Sequence, residues 1–450
     1  MRIIVEDYRP KHFDGANIIT ALEHRDRVCE IYLHSLTSSL LERLTAVMQE
    51  PFPVLTNLDL RRDHRIPLVL PETFLGGSAP RLESLHLSRI PFPALPKLLL
   101  SARDLVNLEL YEVPHTGYIS PQVMVTCLSA LTSLQSFTLK LKSPRSCPDR
   151  GGQPPPPLTP VDLPALIKLK FQGVTDYLED FLVRINAPII TTTTITFFNR
   201  VVFNIPQLFK FVNRTEALGP ATRAKLFFNE RLARLSAHRI YSSEGDLYDR
   251  EFPNVCALCG ALDWKISFSV QICGQLSPLL SSVERLDIEC EGIDPLDWQD
   301  DLDHAQWLEI FRPFIAVQSL YIHGLDELIV PALQELTGVR VMEVLPALRN
   351  LFVTDPDPSG SVRQAIEPFI SARRLSNHPV TVRPSSNFTQ AEQLIESGDE
   401  SDGTSSTEEE DVSSDDEYPD FWDADEYPDV WGVDEYEDDE DDEDDEDDED

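Results

Sequence analysis

The stretch RLESLHL, residues 81–87, contains the phrase Leu-x-x-Leu-x-Leu, and the stretch DLVNLEL, residues 104–110, repeats it. Side chains alternate between the two faces of an extended strand, so the last two apolar residues of the phrase share one face. The first leucine precedes the strand and turns towards the same interior. Each phrase therefore predicts a short strand that buries one face and needs a neighbour on either side.

The same phrase recurs through most of the chain, with starts 23 to 34 residues apart within each run. This interval overlaps the period of roughly 20–29 residues that is typical of leucine-rich repeats. Such units, stacked in parallel, bury one continuous core. The expected fold class is α/β: a leucine-rich-repeat-like solenoid with a parallel sheet on the concave face and helices outside. Nine segments fit the template: 28–33, 55–60, 82–87, 105–110, 134–139, 166–171, 283–288, 317–322 and 348–353.

Several segments between the strands carry apolar residues at helical spacing. The segment 38–48 is one of them, and 120–131 opens with Ser120 as N-cap followed by Pro121. Segment 175–185 predicts a helix with Thr175 as its capping residue. We expect two more helices in 303–315 and 361–375, each with a proline that ends or kinks it.

The pattern weakens in the middle of the chain. In APIITTTTITFF, residues 187–198, Thr193 takes the place of the middle leucine, so its hydroxyl must find a partner or face a gap. No unit is clear in 218–278, where 224–237 and 262–270 are predicted as strands of degenerate repeats. The segment 142–160 is rich in proline and glycine and is predicted to be a surface loop.

The charge is concentrated at one end of the chain. Of its 450 residues, 77 are acidic and 38 basic, a net charge of −39. Residues 384–450 hold 33 of the acids and no Lys or Arg, which leaves a net charge of −6 on the rest. We therefore expect an N-terminal cap or linker in 1–27, a repeat domain in 28–385 and a disordered acidic tail in 386–450.

The tail contains a near-repeat of nine residues, DEYPDFWDA at 416–424 followed by DEYPDVWGV at 425–433. Aromatic residues set among acids are typical of disordered interaction segments, because the charge keeps the rings exposed. The same pattern is also explained by a duplicated segment that has diverged in sequence within a solvated tail. The candidate residues of this motif are Tyr418, Phe421, Trp422, Tyr427 and Trp431.

The sequence lacks the common signatures of catalysis and of metal or cofactor binding. No phosphate-binding or nucleophile motif occurs, and the lone Cys-x-x-Cys of Cys256 and Cys259 predicts buried thiols rather than zinc ligands. We expect no catalytic residue, cofactor, metal, small-molecule ligand, nucleic acid or membrane partner. Seven cysteines at no framework spacing and no export signal favour the cytoplasm or the nucleus.

Several longer phrases resemble a large family of mushroom-forming (basidiomycete) fungi, the F-box proteins with divergent leucine-rich repeats. The resemblance covers residues 17 to 375 and includes MQEPFPVLTNLDL, FLGGSAPRLESLHL, IPFPALPKLLLSARDLVNLEL, VPHTGYISPQVMVTCLSALTSLQSF and EVLPALRNLFV. It implies a protein-binding adaptor that selects substrates for ubiquitination and contacts the small adaptor subunit of cullin–RING ubiquitin ligases.

The chain departs from that family at its N-terminus. No Leu-Pro-x-Glu phrase of an F-box precedes residue 28, so we expect either a truncated gene model or a paralogue that has lost its ligase attachment. The alternatives to an adaptor are a stand-alone scaffold or decoy, and a binder of basic proteins through the acidic tail.

Candidate partner-binding residues follow from the strand template. The residue between the last two apolar positions points away from the core, towards the concave face on which repeat proteins commonly bind partners. The same residues are also explained as ordinary solvated positions. The candidates are Tyr32, Asp59, His86, Glu109, Lys170, Asp287, Tyr321 and Phe352, with Thr138 at the same place in its unit.

Overall fold

The computed structural model describes residues 1–6, 16–36, 38–62, 69–144, 160–198, 204–215, 221–238, 251–259, 262–292, 304–336, 338–353 and 361–384. The chain divides into two units, Met1–Gln393 and Leu394–Asp450, and the second lies outside the described residues. The predicted acidic tail therefore also lies outside them, as does most of the predicted loop at 142–160.

Strands and helices alternate along much of the first unit. The strands are β1 (Arg2–Glu6), β2 (Glu30–Leu36), β3 (Asn57–Arg62), β4 (Ser84–Ser88), β5 (Asn107–Val113), β6 (Ser136–Leu141), β7 (Val161–Asp162), β8 (Lys168–Gly173), β9 (Ile185–Asn186), β10 (Thr192–Phe198), β11 (Arg223–Phe228), β12 (Leu232–His238), β13 (Glu251–Leu258), β14 (Arg285–Cys290), β15 (Ser319–His323), β16 (Asn350–Val353) and β17 (Thr381–Pro384).

The helices fill many of the connections between these strands. They are α1 (Ala16–Glu23), α2 (Ser38–Val47), α3 (Leu95–Ser101), α4 (Pro121–Leu128), α5 (Thr175–Leu182), α6 (Pro206–Arg214), α7 (Leu262–Gln275), α8 (Ser277–Leu280), α9 (His304–Phe311), α10 (Asp326–Gln334) and α11 (Ser361–Leu375). Short 3-10 turns occur at Phe74–Gly77, His115–Gly117 and Gly338–Met342.

Fifteen of the strands form one mixed but mostly parallel sheet. Its order is β1-β2-β3-β4-β5-β6-β8-β10-β13-β12-β11-β14-β15-β16-β17, while β7 and β9 form a separate parallel pair. The predicted cap or linker at 1–27 contributes β1, a strand at one edge of this sheet. The prediction of a mixed α/β fold with a large, mainly parallel sheet is confirmed.

The Leu-x-x-Leu-x-Leu phrase forms the structural unit as expected. In the unit of β3, Leu55, Leu58 and Leu60 are each buried, and the corresponding apolar residues of the other eight matches are buried as well. Between the first and second leucines, the carbonyl of Thr56 accepts hydrogen bonds from the backbone N–H groups of Glu83 and Ser84 in the next unit. Burial and backbone pairing therefore repeat together from one unit to the next.

Thr193 occupies the middle-leucine position, as predicted. It is the register partner of Leu169 on the neighbouring strand β8, and only 1% of its surface is exposed. Its hydroxyl has no hydrogen-bond partner among the described residues. Of the two outcomes expected from the sequence, the structure shows the unsatisfied hydroxyl.

One strand within residues 218–278, where the sequence shows no clear repeat unit, runs in the opposite direction to its neighbours. Strand β12 runs antiparallel to both β11 and β13, whereas β11 pairs in parallel with β14 and β13 with β10. Strands β11 and β12 are joined by a tight turn in which the Asn229 side chain accepts from the backbone N–H groups of Arg231 and Leu232. A turn this short joins only antiparallel neighbours. The prediction of strands at 224–237 is confirmed, but they form a hairpin rather than successive parallel units.

The prediction of a strand at 262–270 is wrong, because this segment begins helix α7. Its apolar residues alternate, which suggested a strand, but the buried residues follow a helical spacing instead. The buried residues form groups that recur every three to four positions: Lys265 and Ile266, then Phe268 and Ser269, then Ile272 and Cys273. The hydrophobic pattern did not indicate that Lys265 and Ser269 are buried, because both residues are polar.

The predicted helices form, with one difference at a cap. Ser120 is the N-cap of α4 and accepts from the backbone N–H of Val123, as expected. Thr175 is instead the first helical residue of α5, and Val174 takes the cap position. The side chain of Thr175 is buried, and its hydroxyl has no hydrogen-bond partner among the described residues. Pro313 follows the end of α9, whereas Pro368 lies inside α11.

Candidate functional site

The predicted partner-binding residues lie in one row across the sheet. Strand register aligns each of them with the next, and we name the complete set of aligned positions the central row. The row includes one residue from each of the fifteen strands. In spatial order they are Ile4, Tyr32, Asp59, His86, Glu109, Thr138, Lys170, Thr194, Asn254, Ser236, Lys225, Asp287, Tyr321, Phe352 and Arg383.

The central row lies on the face of the sheet opposite the buried leucines, which we name the polar face. The residues on either side of Asp59 in its strand, Leu58 and Leu60, are in the core, so alternation places Asp59 on the other side. Accessibility varies along the row. Tyr32, His86 and Glu109 are partly exposed, as are Lys170 and Asp287. Asp59, Thr138, Tyr321 and Phe352 are buried, so they offer little surface to a partner.

Charge pairing engages the carboxylate of Asp59. Arg61, two residues further along the same strand, donates to both of its oxygens, at 3.1 and 2.9 Å. The Nε2 atom of His34 lies 3.1 Å from Asp59 Oδ2. One strand away, the guanidinium of Arg2 lies 4.9 Å from the centre of the Tyr32 ring. This end of the row is therefore held by contacts within the protein.

His86 and Glu109 form a pair between adjacent strands. Nδ1 of His86 lies 3.0 Å from Glu109 Oε2, and the imidazole stacks on the ring of Tyr111 with a centroid distance of 5.0 Å. The hydrogen bond with His86 is the main cause that holds the pKa of Glu109 below its ordinary value. Burial raises the pKa of the Tyr111 hydroxyl, and the charge of Glu109 adds to that effect.

Three lysines on two neighbouring strands, Lys140 of β6 and Lys168 and Lys170 of β8, form what we name the lysine cluster. Burial lowers the pKa of Lys140, whose ammonium lies 4.9 Å from the centre of the Tyr111 ring. Burial also lowers the pKa of Lys170, and the charges of Lys168 and Lys140 lower it further. The repeat template identifies Lys170 alone, because it marks one outward-facing position in each strand. Residues two places away share the same face, and that signal would have found the other two lysines.

An aromatic stack lies towards the C-terminal end of the row. The rings of Tyr321 and Phe352 are parallel to within 2°, with their centroids 4.1 Å apart. The guanidinium of Arg285 lies 4.1 Å from the centre of the Tyr321 ring and donates to both oxygens of Asp287. The structure thus brings three of the predicted residues into one group, although Tyr321 is 5% exposed and Phe352 is 9% exposed.

The middle of the central row was not found from the sequence. Thr194, Asn254, Ser236 and Lys225 occupy it, and the last three belong to the segment with the reversed strand. Lys225 forms an ion pair with Glu289. Ser236 lies on the antiparallel strand β12, whereas Lys225 and Asn254 lie on strands that run parallel to the repeat strands but do not carry the Leu-x-x-Leu-x-Leu phrase.

The other motifs noted in the sequence contribute no further site among the described residues. Cys256 contacts the side-chain oxygen of Asn254, and Cys259 contacts the carbonyl of Ala257. In the part of the chain that the structure describes, no group of three or more His, Cys, Asp or Glu residues is arranged to hold a metal ion. None of the described helices is long and apolar enough to cross a membrane. The tail motif of Tyr418, Phe421, Trp422, Tyr427 and Trp431 lies outside the described residues.

Comparison with known proteins adds no family assignment. No protein-family model matches the chain, and no curated protein matches it either. The central row and the lysine cluster are therefore defined by the sequence and strand register of this chain, without reference to a relative.

Proposed function

We propose that this chain is a non-catalytic protein-binding repeat protein that receives its partner on the polar face. The observation that carries the proposal is the central row, because eight residues chosen from the sequence as outward-facing positions fall into one register across the sheet. We further propose that the sheet and its helices form a leucine-rich-repeat-like solenoid whose concave surface carries this row.

The size and chemistry of the polar face suit a protein partner. Fourteen steps between neighbouring strands, at about 4.8 Å each, give a row on the order of 65 Å long. A surface of this length accommodates an extended segment or the side of a small domain. Polar, charged and aromatic side chains occur along it, and the partly exposed ones, which include Tyr32, His86 and Lys170, are accessible to a partner.

The role we favour is that of a substrate-recognition adaptor related to cullin–RING ubiquitin ligases. It rests on the sequence resemblance to fungal F-box proteins with divergent repeats. The first alternative is a stand-alone scaffold or decoy without ligase attachment. The second is a binder of basic proteins through the acidic residues at 384–450, which hold 33 carboxylates and no Lys or Arg. Seven cysteines at no framework spacing support a cytoplasmic or nuclear location.

A quantitative pull-down from native fungal lysate tests the proposal. The full chain is compared with a Tyr32→Ala/His86→Ala variant, which alters the polar face, and with a Leu100→Ala/Val123→Ala variant. Leu100 and Val123 are exposed on helices α3 and α4, so the second variant is a matched control for surface change. We expect the face variant alone to lose the captured partner.

The same experiment separates the alternatives. Recovery of the cullin and its small adaptor subunit with the full chain supports the adaptor role, and their absence beside a captured partner supports the scaffold. Loss of basic partners after deletion of residues 399–450 supports the tail alternative. Equal capture by the face variant, the control and the unaltered chain contradicts binding on the polar face.

A further inference from the structure

The lysine cluster gathers three positive charges on one patch of the polar face. Lys168 and Lys170 are separated by the buried Leu169, so both lie on the face opposite the core. Lys140 on the adjacent strand is the register partner of Gln172, the next position on that face after Lys170. The three lysines therefore occupy neighbouring sites on two paired strands.

Two carboxylates whose charge acts on this cluster are hydrogen-bonded to other residues. Glu109, which influences the pKa of Lys170, is bound to His86. Glu112, which influences that of Lys140, accepts two hydrogen bonds from Arg89. Among the described residues, none of the three ammonium groups forms an ion pair with a carboxylate. Lys225 differs in this respect, because it lies in the central row, as Lys170 does, and forms an ion pair with Glu289.

Gathering the lysines costs free energy in the unbound protein. The three side chains are partly buried, and burial removes water from an ammonium group. Repulsion adds to this cost, because the charges of Lys168 and Lys140 lower the pKa of Lys170 beyond the effect of burial. A negatively charged ligand offsets the repulsion among the three ammonium groups, and its attraction to them can compensate for the water that burial removes.

We propose that the lysine cluster docks an extended acidic segment of a partner protein, with carboxylates at alternate positions. The inference rests on the proposed function and names the chemistry of its partner. Lys168 and Lys170 are two residues apart on one strand, so their Cα atoms are about 6.6 Å apart. Alternate side chains of an extended peptide have the same spacing, so two Asp or Glu residues can meet these two lysines. Lys140, diagonal to Lys170, lies within reach of a third.

A carboxylate ligand also fits the kind of cation present. Lysine is a compact point charge on a flexible stem, whereas the planar fork of arginine suits phosphate recognition in two-point contacts. The cluster contains lysine alone. Residues 1–383 carry a net charge of −6, which does not favour an extended nucleic acid on this face.

The test uses the full chain and a fluorescent probe peptide in which Asp alternates with Thr, followed by anisotropy at low salt. We expect Lys168→Gln/Lys170→Gln to weaken binding about tenfold and Lys140→Gln about threefold. Lys225→Gln, the control in the central row, removes one positive charge, as Lys140→Gln does, but from an ion pair that is already neutralised. We expect it to change binding less than about twofold.

Three outcomes overturn the inference. The first is an equal loss with Lys225→Gln, which indicates general electrostatic attraction. The second is no binding of the probe to the unaltered chain. The third is cluster-dependent preference for a phosphothreonine peptide over the alternating Asp peptide, which assigns the patch to phosphate.

A failure here is distinguishable from a failure of the proposed function. In the lysate experiment, a partner that is lost with Tyr32→Ala/His86→Ala but kept with Lys168→Gln/Lys170→Gln preserves the polar face as the binding surface. That result contradicts only the proposal that the lysine cluster binds an acidic segment. Thermal melting of each variant confirms that the substitutions leave the fold intact.

Discussion

His86 and Glu109 are register partners on adjacent parallel strands, and Nδ1 of the first lies 3.0 Å from Oε2 of the second. The two residues are 23 positions apart in the chain, close to one repeat interval. A cross-strand contact of this kind is the unit of side-chain interaction in a sheet. The polar face thus contains contacts of this kind, and the contribution of a single pair to stability can be measured by substituting one of its residues.

The His86–Glu109 pair predicts a dependence of stability on pH. Folding lowers the pKa of Glu109 from its ordinary value of about 4.5. Its contribution to the unfolding free energy is therefore complete above pH 4.5 and is lost as the pH falls through the lowered pKa of the folded protein. We expect Glu109→Gln to cost less than about 1 kcal/mol at neutral pH, because 34% of the carboxylate side chain is exposed and solvent screens it.

Urea denaturation at a series of pH values checks this prediction. The difference in unfolding free energy between the unaltered chain and Glu109→Gln should shrink below about pH 4.5. Glu72→Gln, an exposed carboxylate, is the control. A difference that grows as the pH falls contradicts the assignment.

Thr193 predicts a stabilising substitution. Its hydroxyl is buried and has no partner among the described residues, so the protein bears the cost of removing it from water. Valine has nearly the same shape without that polar atom. We expect Thr193→Val to raise the unfolding free energy by about 1 kcal/mol, measured by denaturant titration.

The adjacent residue supplies a control for this substitution. Thr194 lies in the central row on the polar face and is partly exposed, so Thr194→Val should change stability by less than about 0.5 kcal/mol. A gain at Thr194 as large as at Thr193 means that strand propensity, not the buried hydroxyl, determines the result.

We expect substitution of Arg373, which lies near the C-terminal end of the sheet, to cause a large loss of stability. Its side chain is fully buried, and its guanidinium donates to the carbonyls of Val341, Pro346 and Leu348. Removing the guanidinium leaves these carbonyls without their charged donor. We expect Arg373→Met to lower the unfolding free energy by about 3 kcal/mol.

Thermal or chemical denaturation measures this loss, with Arg374→Met as the control. Arg374 is the next residue on the same helix and is exposed. It should change stability by less than about 0.5 kcal/mol. Similar losses for the two variants are incompatible with a special role for the buried guanidinium.

The lysine cluster predicts unusual reactivity at Lys170. Its pKa is lowered first by burial and then by the charges of Lys168 and Lys140, so the neutral amine forms at a lower pH than usual. Labelling with an amine-reactive reagent across a pH series, read by mass spectrometry, reports the midpoint. We expect Lys168→Gln to move that midpoint to higher pH, because one repelling charge is removed. A shift to lower pH, or none, contradicts mutual repulsion in the cluster.

The sequence was informative wherever the repeat phrase is regular. The alternation of Leu58, Asp59 and Leu60 is a local property, and it determines which side chain enters the core and which one leaves it. The eight candidates therefore fell on one face without knowledge of the neighbouring strands. The phrase was uninformative at Lys265 and Ser269, because a buried polar residue does not contribute to a hydrophobic pattern.

By itself, then, the sequence determined the strands that carry the phrase, the face that each buries and the separation of an acidic end from a near-neutral body. Only the tertiary structure decided which side chains meet, because contacts across a sheet depend on the register and direction of neighbouring strands. Register brought Lys140 beside Lys170 and paired His86 with Glu109. The reversal of β12, joined to β11 by a tight turn at Asn229, is likewise a property of chain pairing that the repeat phrase does not encode.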